Sequence, residues 1–274
     1  MKEIIKKIKD LGFDSYGVVY IGRERYLIVF KGYGYYRETD KNNFAVSPYY
    51  FSSNKAYFAT KELVDYIIEI GYNATVENKI VYDELLEKCG AIRGKNNLFF
   101  IDGLGSLFCV HIIKTDAPIK EKHLKGIECI HCNRCIKACP MSALSTNGID
   151  KDKCIRHKMD NIADTECRDK ITTLLGCDKC QKCCPNNNTK AVEATYPQFA
   201  KEKILRGDMT GIAELVGKNM ARKQRLMFQG MCRVANSKDC EYISNIENIE
   251  IKELEDVKKW CIEKLNNIDL RQGK

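Results

Sequence analysis

Four closely spaced cysteines restrict what this chain of 274 residues can fold around: Cys129-Ile-His-Cys132-Asn-Arg-Cys135-Ile-Lys-Ala-Cys139-Pro140. The pattern C-x2-C-x2-C-x3-C-P lets three thiolates hold one 4Fe-4S cube while the fourth reaches a second cube. A partner motif must then complete both. Cys177-Asp-Lys-Cys180-Gln-Lys-Cys183-Cys184-Pro185 supplies it and ends in the same Cys-Pro pair, but only two evenly spaced cysteines precede that end. One ligand is displaced upstream, and Cys154 is the natural candidate. The pseudo-symmetric assignment is Cys129, Cys132, Cys135 and Cys184 for one cluster and Cys139, Cys154, Cys177 and Cys180 for the other. Cys167 or Cys183 can replace a member. Structural zinc is the plainer alternative, since C-x2-C pairs also build zinc ribbons, but zinc does not ask for a third cysteine at the same spacing or for Cys-Pro ends.

The cysteine count supports metal over disulfides. Fifteen cysteines cannot all pair, and four histidines are too few for a His-built site. No apolar run approaches the roughly 18 residues of a membrane-spanning helix, and the first residues lack the apolar stretch of a signal peptide. The expected location is therefore cytoplasmic, with no membrane partner, and there thiols stay reduced and serve metal or redox chemistry. Hydrophobic residues make up 44% and charged residues 30%, which excludes a disordered chain. The formal net charge of +8 hints at an anionic partner.

The chain divides into three regions. Residues 1–120 alternate helix and strand signals. Ile4, Ile5, Ile8 and Leu11 recur at helical spacing and Gly12 stops that helix. Tyr16 to Ile21 and Tyr26 to Phe30 read as strands around a turn at Gly22-Arg23. Ser53 and Asn54 are candidate caps for a helix whose apolar side includes Phe58, Leu63, Val64, Ile67 and Ile68 and which ends at Gly71. Ile80 to Cys89 repeats the pattern and stops at Gly90. Leu98 to Ile101 and Leu107 to Ile113 read as a β-hairpin through Asp102-Gly103-Leu104-Gly105. Residues 121–190 are dense in cysteine and too poor in apolar side chains to fold unaided. Residues 191–274 are helical by pattern, most clearly over Ile212 to Val234 and Ile251 to Leu265. The fold class is α+β.

The ligand set, the displaced Cys154 after Ile149-Asp150 and the Gly176-Cys177-Asp178-Lys179-Cys180-Gln181 ending resemble the cobalamin-dependent epoxyqueuosine reductases of queuosine-tRNA biosynthesis, whose core is related to that of reductive dehalogenases. Gly94-Lys95-Asn96-Asn97-Leu98, Leu104-Gly105-Ser106-Leu107-Phe108 and Lys114-Thr115-Asp116-Ala117-Pro118 are similar to the same family. Residues 56–190 carry most of the match, and Gly217 to Leu226 looks like its helical-repeat tail. The resemblance implies a nitroreductase-like α/β cobalamin domain over 1–120, a ferredoxin-like double-cluster domain over 121–190 and a C-terminal helical region over 191–274. It also implies cobalamin contacts at Ser47, Tyr49, Phe99, Gly105, Ser106 and Val110, where a planar macrocycle needs close approach to the chain. Without the resemblance these residues read as plain core.

The chain departs from that family twice. The family's proton donor is an aspartate opening a D-T-A-P-x-L-E-R motif. Here the stretch reads Thr75-Val76-Glu77-Asn78-Lys79-Ile80-Val81-Tyr82-Asp83, so Glu77 is the candidate catalytic acid and Tyr82 the second choice; a solvated surface carboxylate is the plainer role for Glu77. The N-terminal region is also shorter, with only Lys31 to Val46 where a longer substrate-binding portion is expected. The basic residues Lys218, Arg222, Lys223, Arg225 and Arg233 can meet an RNA backbone or simply form a solvated helix face.

The expected function is a reductase in which two 4Fe-4S clusters pass electrons to a bound corrinoid, fed by a low-potential electron donor and acting on tRNA. The alternatives are a corrinoid-reducing or trafficking protein that serves a corrinoid-dependent partner, and a ferredoxin-like electron carrier. A flavin in place of cobalamin is a further option. His111 reads as core rather than ligand.

Overall fold

The computed structural model describes residues 2–78, 82–158, 170, 173–188, 190–205 and 208–218, with 240–241, 244–245, 255, 258–263 and 266–267 beyond them. In chain order the elements are α1 (Lys2–Asp10), β1 (Ser15–Ile21), β2 (Glu24–Gly32), β3 (Tyr35–Glu38), α2 (Pro48–Glu69), β4 (Ala74–Val76), α3 (Tyr82–Lys88), β5 (Ile92–Arg93), β6 (Phe99–Phe100) and β7 (Phe108–Thr115). The cysteine region holds α4 (Arg134–Ala138), β8 (Leu144–Ser145), β9 (Gly148–Ile149), α5 (Ile155–Lys158) and α6 (Lys179–Lys182). After it come β10 (Ala191–Ala194), α7 (Lys201–Leu205) and α8 (Ile212–Val216).

The central sheet is antiparallel throughout, in the order β1-β2-β7-β4. Side chains alternate across its two faces, as the pleat of a strand requires. Val18, Leu27, Val29 and Ile113 face one core, which α1 closes with Ile4 and Ile8 and α2 closes with Leu63 and Ile67. Val19, Tyr26, Ile28, Phe30 and Ile112 face the other, closed by Leu85 and Leu86 of α3 with Phe99 and Ile101. A third core joins the α/β region to the cysteine region and to α7 and α8. Phe44, Val46, Tyr50 and Phe51 pack there with Ile155, Leu174, Leu175, Phe199, Ile204 and Ile212.

Several expectations are corrected. Helix α2 starts at Pro48 after Ser47, earlier than the Ser53 and Asn54 caps, because proline is preorganised for the first helical turn. Phe58 and Ile68 are 60% and 51% exposed, so they leave the apolar side formed by Leu63 and Ile67. The 98–101 and 107–113 segments form no hairpin: β6 pairs with β5, whereas β7 sits between β2 and β4. Buried partners remote in sequence satisfy β7 on both edges, and that outcompetes the local turn. The region expected to be helical contributes β10, which pairs in parallel with β3. Helix α8 stops at Val216, where Gly217 takes φ of +89°; residues 219–239, including Arg222, Lys223, Arg225 and Arg233, lie outside the described residues, as do most of 251–265. Among the described residues no helix is long and apolar enough to cross a membrane.

Gly90 ends the turn after α3 with φ of +95°, and a Cβ there would stand 2.3 Å from the carbonyl oxygen of Leu124. Left-handed strain and the backbone clash act together. Gly90→Ala is expected to destabilise the chain by about 3 kcal/mol, read as a lower urea midpoint at unchanged slope under anaerobic conditions.

Candidate metal centres and the adjoining cavity

Short turns, rather than long elements, aim the cysteines. His131 and Asn133 take φ of 54° and 59°, left-handed steps that reverse the chain between Cys129, Cys132 and Cys135. Such steps are uncommon outside glycine, and asparagine and histidine are among the residues that tolerate them. The single turn α4 then buries Cys135 and delivers Cys139 at its end. The Cys139 Sγ accepts the backbone N–H of Ala143 at 3.3 Å. Cys154 follows a turn capped by Asp150, whose carboxylate accepts the N–H of Asp152 at 3.0 Å. Gly176 precedes Cys177 with φ of +86°, and a Cβ on it would come within 2.7 Å of Ser47 Cβ, so the second motif lies directly against the start of α2. Cys180 sits on α6.

These turns place the cysteines in two groups. Cys129, Cys132, Cys135 and Cys184 line a small hollow together with Gly94, Lys95 and Asn96. Cys139, Cys154, Cys177 and Cys180 line one wall of a much larger cavity, about 650 Å³. The last cysteine of each Cys-Pro motif thus belongs with the three cysteines of the other group. Among the described residues no three His, Cys, Asp or Glu side chains stand close enough to hold a single metal ion. Cys183 stands outside both linings, its Sγ donating to the Cys180 carbonyl at 3.4 Å. Cys167 lies outside the described residues.

Burial pushes the Cys177 thiol up to about 11, and raises Cys180 further, with Cys177 and Cys154 adding to it. Cys135 and Cys184 are also raised, burial first and the neighbouring thiols after it. Free, these groups keep their protons. A cation-rich cluster reverses that preference, because metal coordination deprotonates a thiol outright. The donor chemistry, all sulfur and partly buried, fits iron–sulfur cubes.

Of the six contacts expected for a macrocycle, Ser47, Tyr49, Phe99, Ser106 and Val110 line the large cavity. Gly105 does not: with φ of +59° it packs on the cysteine region, where a Cβ would meet Asn187 Oδ1 at 2.3 Å and the Asn186 carbonyl at 2.5 Å. Glu77 also lies off the lining; it follows β4, half-buried, with its N–H donating to Ile112 at 2.8 Å. Sequence reasoning missed Asp83, Arg93, Arg156, His157 and Lys179, which do line the cavity. Asp83 pairs with Arg93 at 2.8 Å, and the Arg156 guanidinium lies over the rings of Tyr50 and Tyr49. The signal available was the basic run Arg156-His157-Lys158 just after Cys154. His111 is half-buried on β7, and that burial lowers its pKa below the ordinary histidine value.

A buried amide network seals the seam between the cavity wall and the cysteine segment. Asn187 Oδ1 accepts the N–H of Ser106 at 2.8 Å, and its Nδ2 donates to the Gln181 carbonyl at 3.0 Å. Gln181 Nε2 donates to the Ser106 carbonyl at 2.8 Å and to the Tyr33 hydroxyl at 3.1 Å.

Fold and site together define an iron–sulfur protein: residues 128–187 match the model of the 4Fe-4S double cluster binding domain. In sequence and fold the chain is similar to epoxyqueuosine reductases. It is 26% identical to that of Lactococcus garvieae over 234 residues, covering 76% of this chain and 66% of the relative. The enzyme of Leadbetterella byssophila is 28% identical over 142 residues, 50% of this chain and 47% of the relative. That of Francisella cf. novicida is 36% identical over 132 residues, 44% of this chain and 36% of the relative. The aligned parts therefore span between about a third and two thirds of these relatives' lengths. The solved epoxyqueuosine reductase of Streptococcus thermophilus superposes with a TM-score of 0.77 at 18% identity, covering 100% of this chain and 94% of that one. An epoxyqueuosine reductase solved with a tRNA-Tyr epoxyqueuosine-modified stem loop superposes with a TM-score of 0.77 at 16% identity, over 96% of this chain and 89% of that one.

Asn187→Ala leaves the Ser106 N–H buried without a partner and removes one of the two donors to the Gln181 carbonyl, the Cys184 N–H at 3.1 Å remaining. A loss of about 2–4 kcal/mol is expected, measured by urea unfolding of the full chain.

Proposed function

We propose that the chain is a cobalamin-dependent iron–sulfur reductase of the epoxyqueuosine reductase kind, acting on a modified nucleoside in tRNA. One observation carries this reading: a cysteine quartet and Ser47, Tyr49, Phe99, Ser106 and Val110 line the same cavity. In this reading Cys129, Cys132, Cys135 and Cys184 hold one 4Fe-4S cluster, and Cys139, Cys154, Cys177 and Cys180 hold the other. The first 120 residues form a nitroreductase-like cobalamin domain. The large cavity suits a sizeable organic cofactor, being of the volume that ligand sites have and walled by aromatic rings with a few polar groups. When bound there, a corrinoid supplies a strongly reducing metal centre beside the second quartet.

The chain's own residues then have separate tasks. Tyr49 and Phe99 offer apolar surface, and Ser47 and Ser106 present small polar groups that allow close approach. Arg93, Lys151, Arg156 and Lys179 give the cavity a cationic side suited to an RNA backbone. Lys218 is exposed on the tail and adds to that charge. A low-potential donor feeds electrons to the clusters. Asp83 lines the cavity and Glu77 does not, so in this reading Asp83 carries the proton to the substrate once it has left Arg93, whose charge favours the ionised carboxylate while the two are paired.

Two outcomes test the reading. Anaerobically reconstituted chain is expected to bind about eight irons and one equivalent of cob(II)alamin, followed by visible absorption and cobalt electron paramagnetic resonance. Cys184→Ser and Cys180→Ser should each remove one cluster. Two intact clusters without any change in the cobalt signal would leave an electron carrier instead. For turnover on an epoxyqueuosine-containing stem loop, Asp83→Asn is expected to lower kcat by about 10²-fold or more with corrinoid binding retained, while Glu77→Gln stays near wild type. The reverse pattern would return the acid role to Glu77.

A further inference from the structure

The turn between β5 and β6 carries a buried donor that no atom of the described residues satisfies. Asn96 is 5% exposed. Its Oδ1 accepts the backbone N–H of Leu98 at 3.3 Å, and only the oxygen of an amide can accept, which fixes which way the group is turned. The Nδ2 on the other side has no hydrogen-bond partner among the described residues. A buried N–H left over in this way is costly, and in a native structure it points to something bound beside it.

The surroundings say what that is. Asn96 lies in the wall of both the small hollow and the large cavity. On the hollow side its neighbours Gly94 and Lys95 face the first cysteine quartet, whose sulfurs are acceptors. On the cavity side the next residues are Asn97, Leu98 and Phe99: the Asn97 Oδ1 already accepts from Arg93 at 3.2 Å, and the other two side chains accept nothing. The turn is also pinned toward the quartet: Lys95 Nζ donates to Asn133 Oδ1 at 3.0 Å, at the left-handed step after Cys132. Gly94 lies close against the Phe100 ring, where an added Cβ would stand 2.6 Å away.

We propose that Asn96 Nδ2 donates a hydrogen bond to a sulfur of the cluster held by Cys129, Cys132, Cys135 and Cys184, and so sets that cluster's reduction potential. The inference rests on the cluster reading above. Hydrogen bonds to cluster sulfurs stabilise the more negative, reduced state and raise the potential.

The test is an anaerobic redox titration of the reconstituted full chain, monitored by electron paramagnetic resonance, for wild type, Asn96→Ala and Asn96→Asp. The aspartate keeps an acceptor for the Leu98 N–H and lacks the donor, which guards against a variant that fails to fold. One midpoint should move to more negative potential in both variants, and it should belong to the cluster that Cys184→Ser removes. The other midpoint should hold. That same cluster should lose an exchangeable-proton coupling in Asn96→Ala, a change that a purely structural role would not produce. Unmoved midpoints, or a shift confined to the cluster removed by Cys180→Ser, would overturn the proposal while leaving the two clusters standing. Unmoved midpoints with weakened cob(II)alamin binding would also overturn it and assign the amide to the large cavity. A wild-type chain without two clusters would instead sink the cluster reading on which the proposal stands.

Discussion

Each Cys-Pro motif places its last cysteine with the other motif's group: Cys139 faces the large cavity with Cys154, Cys177 and Cys180, while Cys184 joins Cys129, Cys132 and Cys135. This exchange ties two stretches about 50 residues apart into one unit that has little apolar core of its own. Ile155, Leu174 and Leu175 are buried in that region, in one cluster with Phe44, Phe51 and Phe199 from outside it. Burial raises the thiols at the same positions, so the free segment holds protonated sulfur in an environment that disfavours thiolates. In the proposed reading metal binding removes that penalty and cross-links the turns at once, which couples folding of the segment to loading of its clusters.

The seam with the α/β region is polar and therefore position-specific. Apolar surfaces slide with little loss, whereas the Ser106, Gln181 and Asn187 amides satisfy one another in one register only. Gly105 belongs to the same contact, since its left-handed backbone and missing side chain let Asn187 reach Ser106. The network fixes the wall that carries Ser106 and Val110 relative to the wall that carries Cys177 and Cys180. A cavity whose two sides come from different parts of the chain keeps its width by this means.

Legibility in the sequence follows locality. The strand pair Tyr16 to Ile21 and Tyr26 to Phe30 reads correctly because a short turn joins the two and both are rich in β-branched and aromatic residues. The cysteine spacing is likewise local and dense. The β7 pairing escapes such reading because its partners β2 and β4 lie far away in sequence, and no single-residue preference reports that. The start of α2 escapes it too: Ser53 and Asn54 have the chemistry of good caps, while Pro48 lies earlier and starts the helix. Glu77 is the candidate that distance along the chain from the expected aspartate selects. What decides access to the cavity is the direction of α3, whose first turn brings Asp83 to the lining and leaves Glu77 beside β7.

Exposure gives the two quartets an order. Cys132 is exposed and the neighbouring Ile130 is 61% exposed, so the first group opens to the surface. Cys177 and Cys180 are half-buried in the wall of the large cavity. In the proposed reading electrons enter where a donor can reach and leave where the reacting group sits, and the polypeptide keeps the two ends apart. The same layout explains why the first quartet is the one met by Lys95 and Asn96: a cluster close to water needs fixed donors around its sulfurs if its potential is to be set by the protein rather than by solvent.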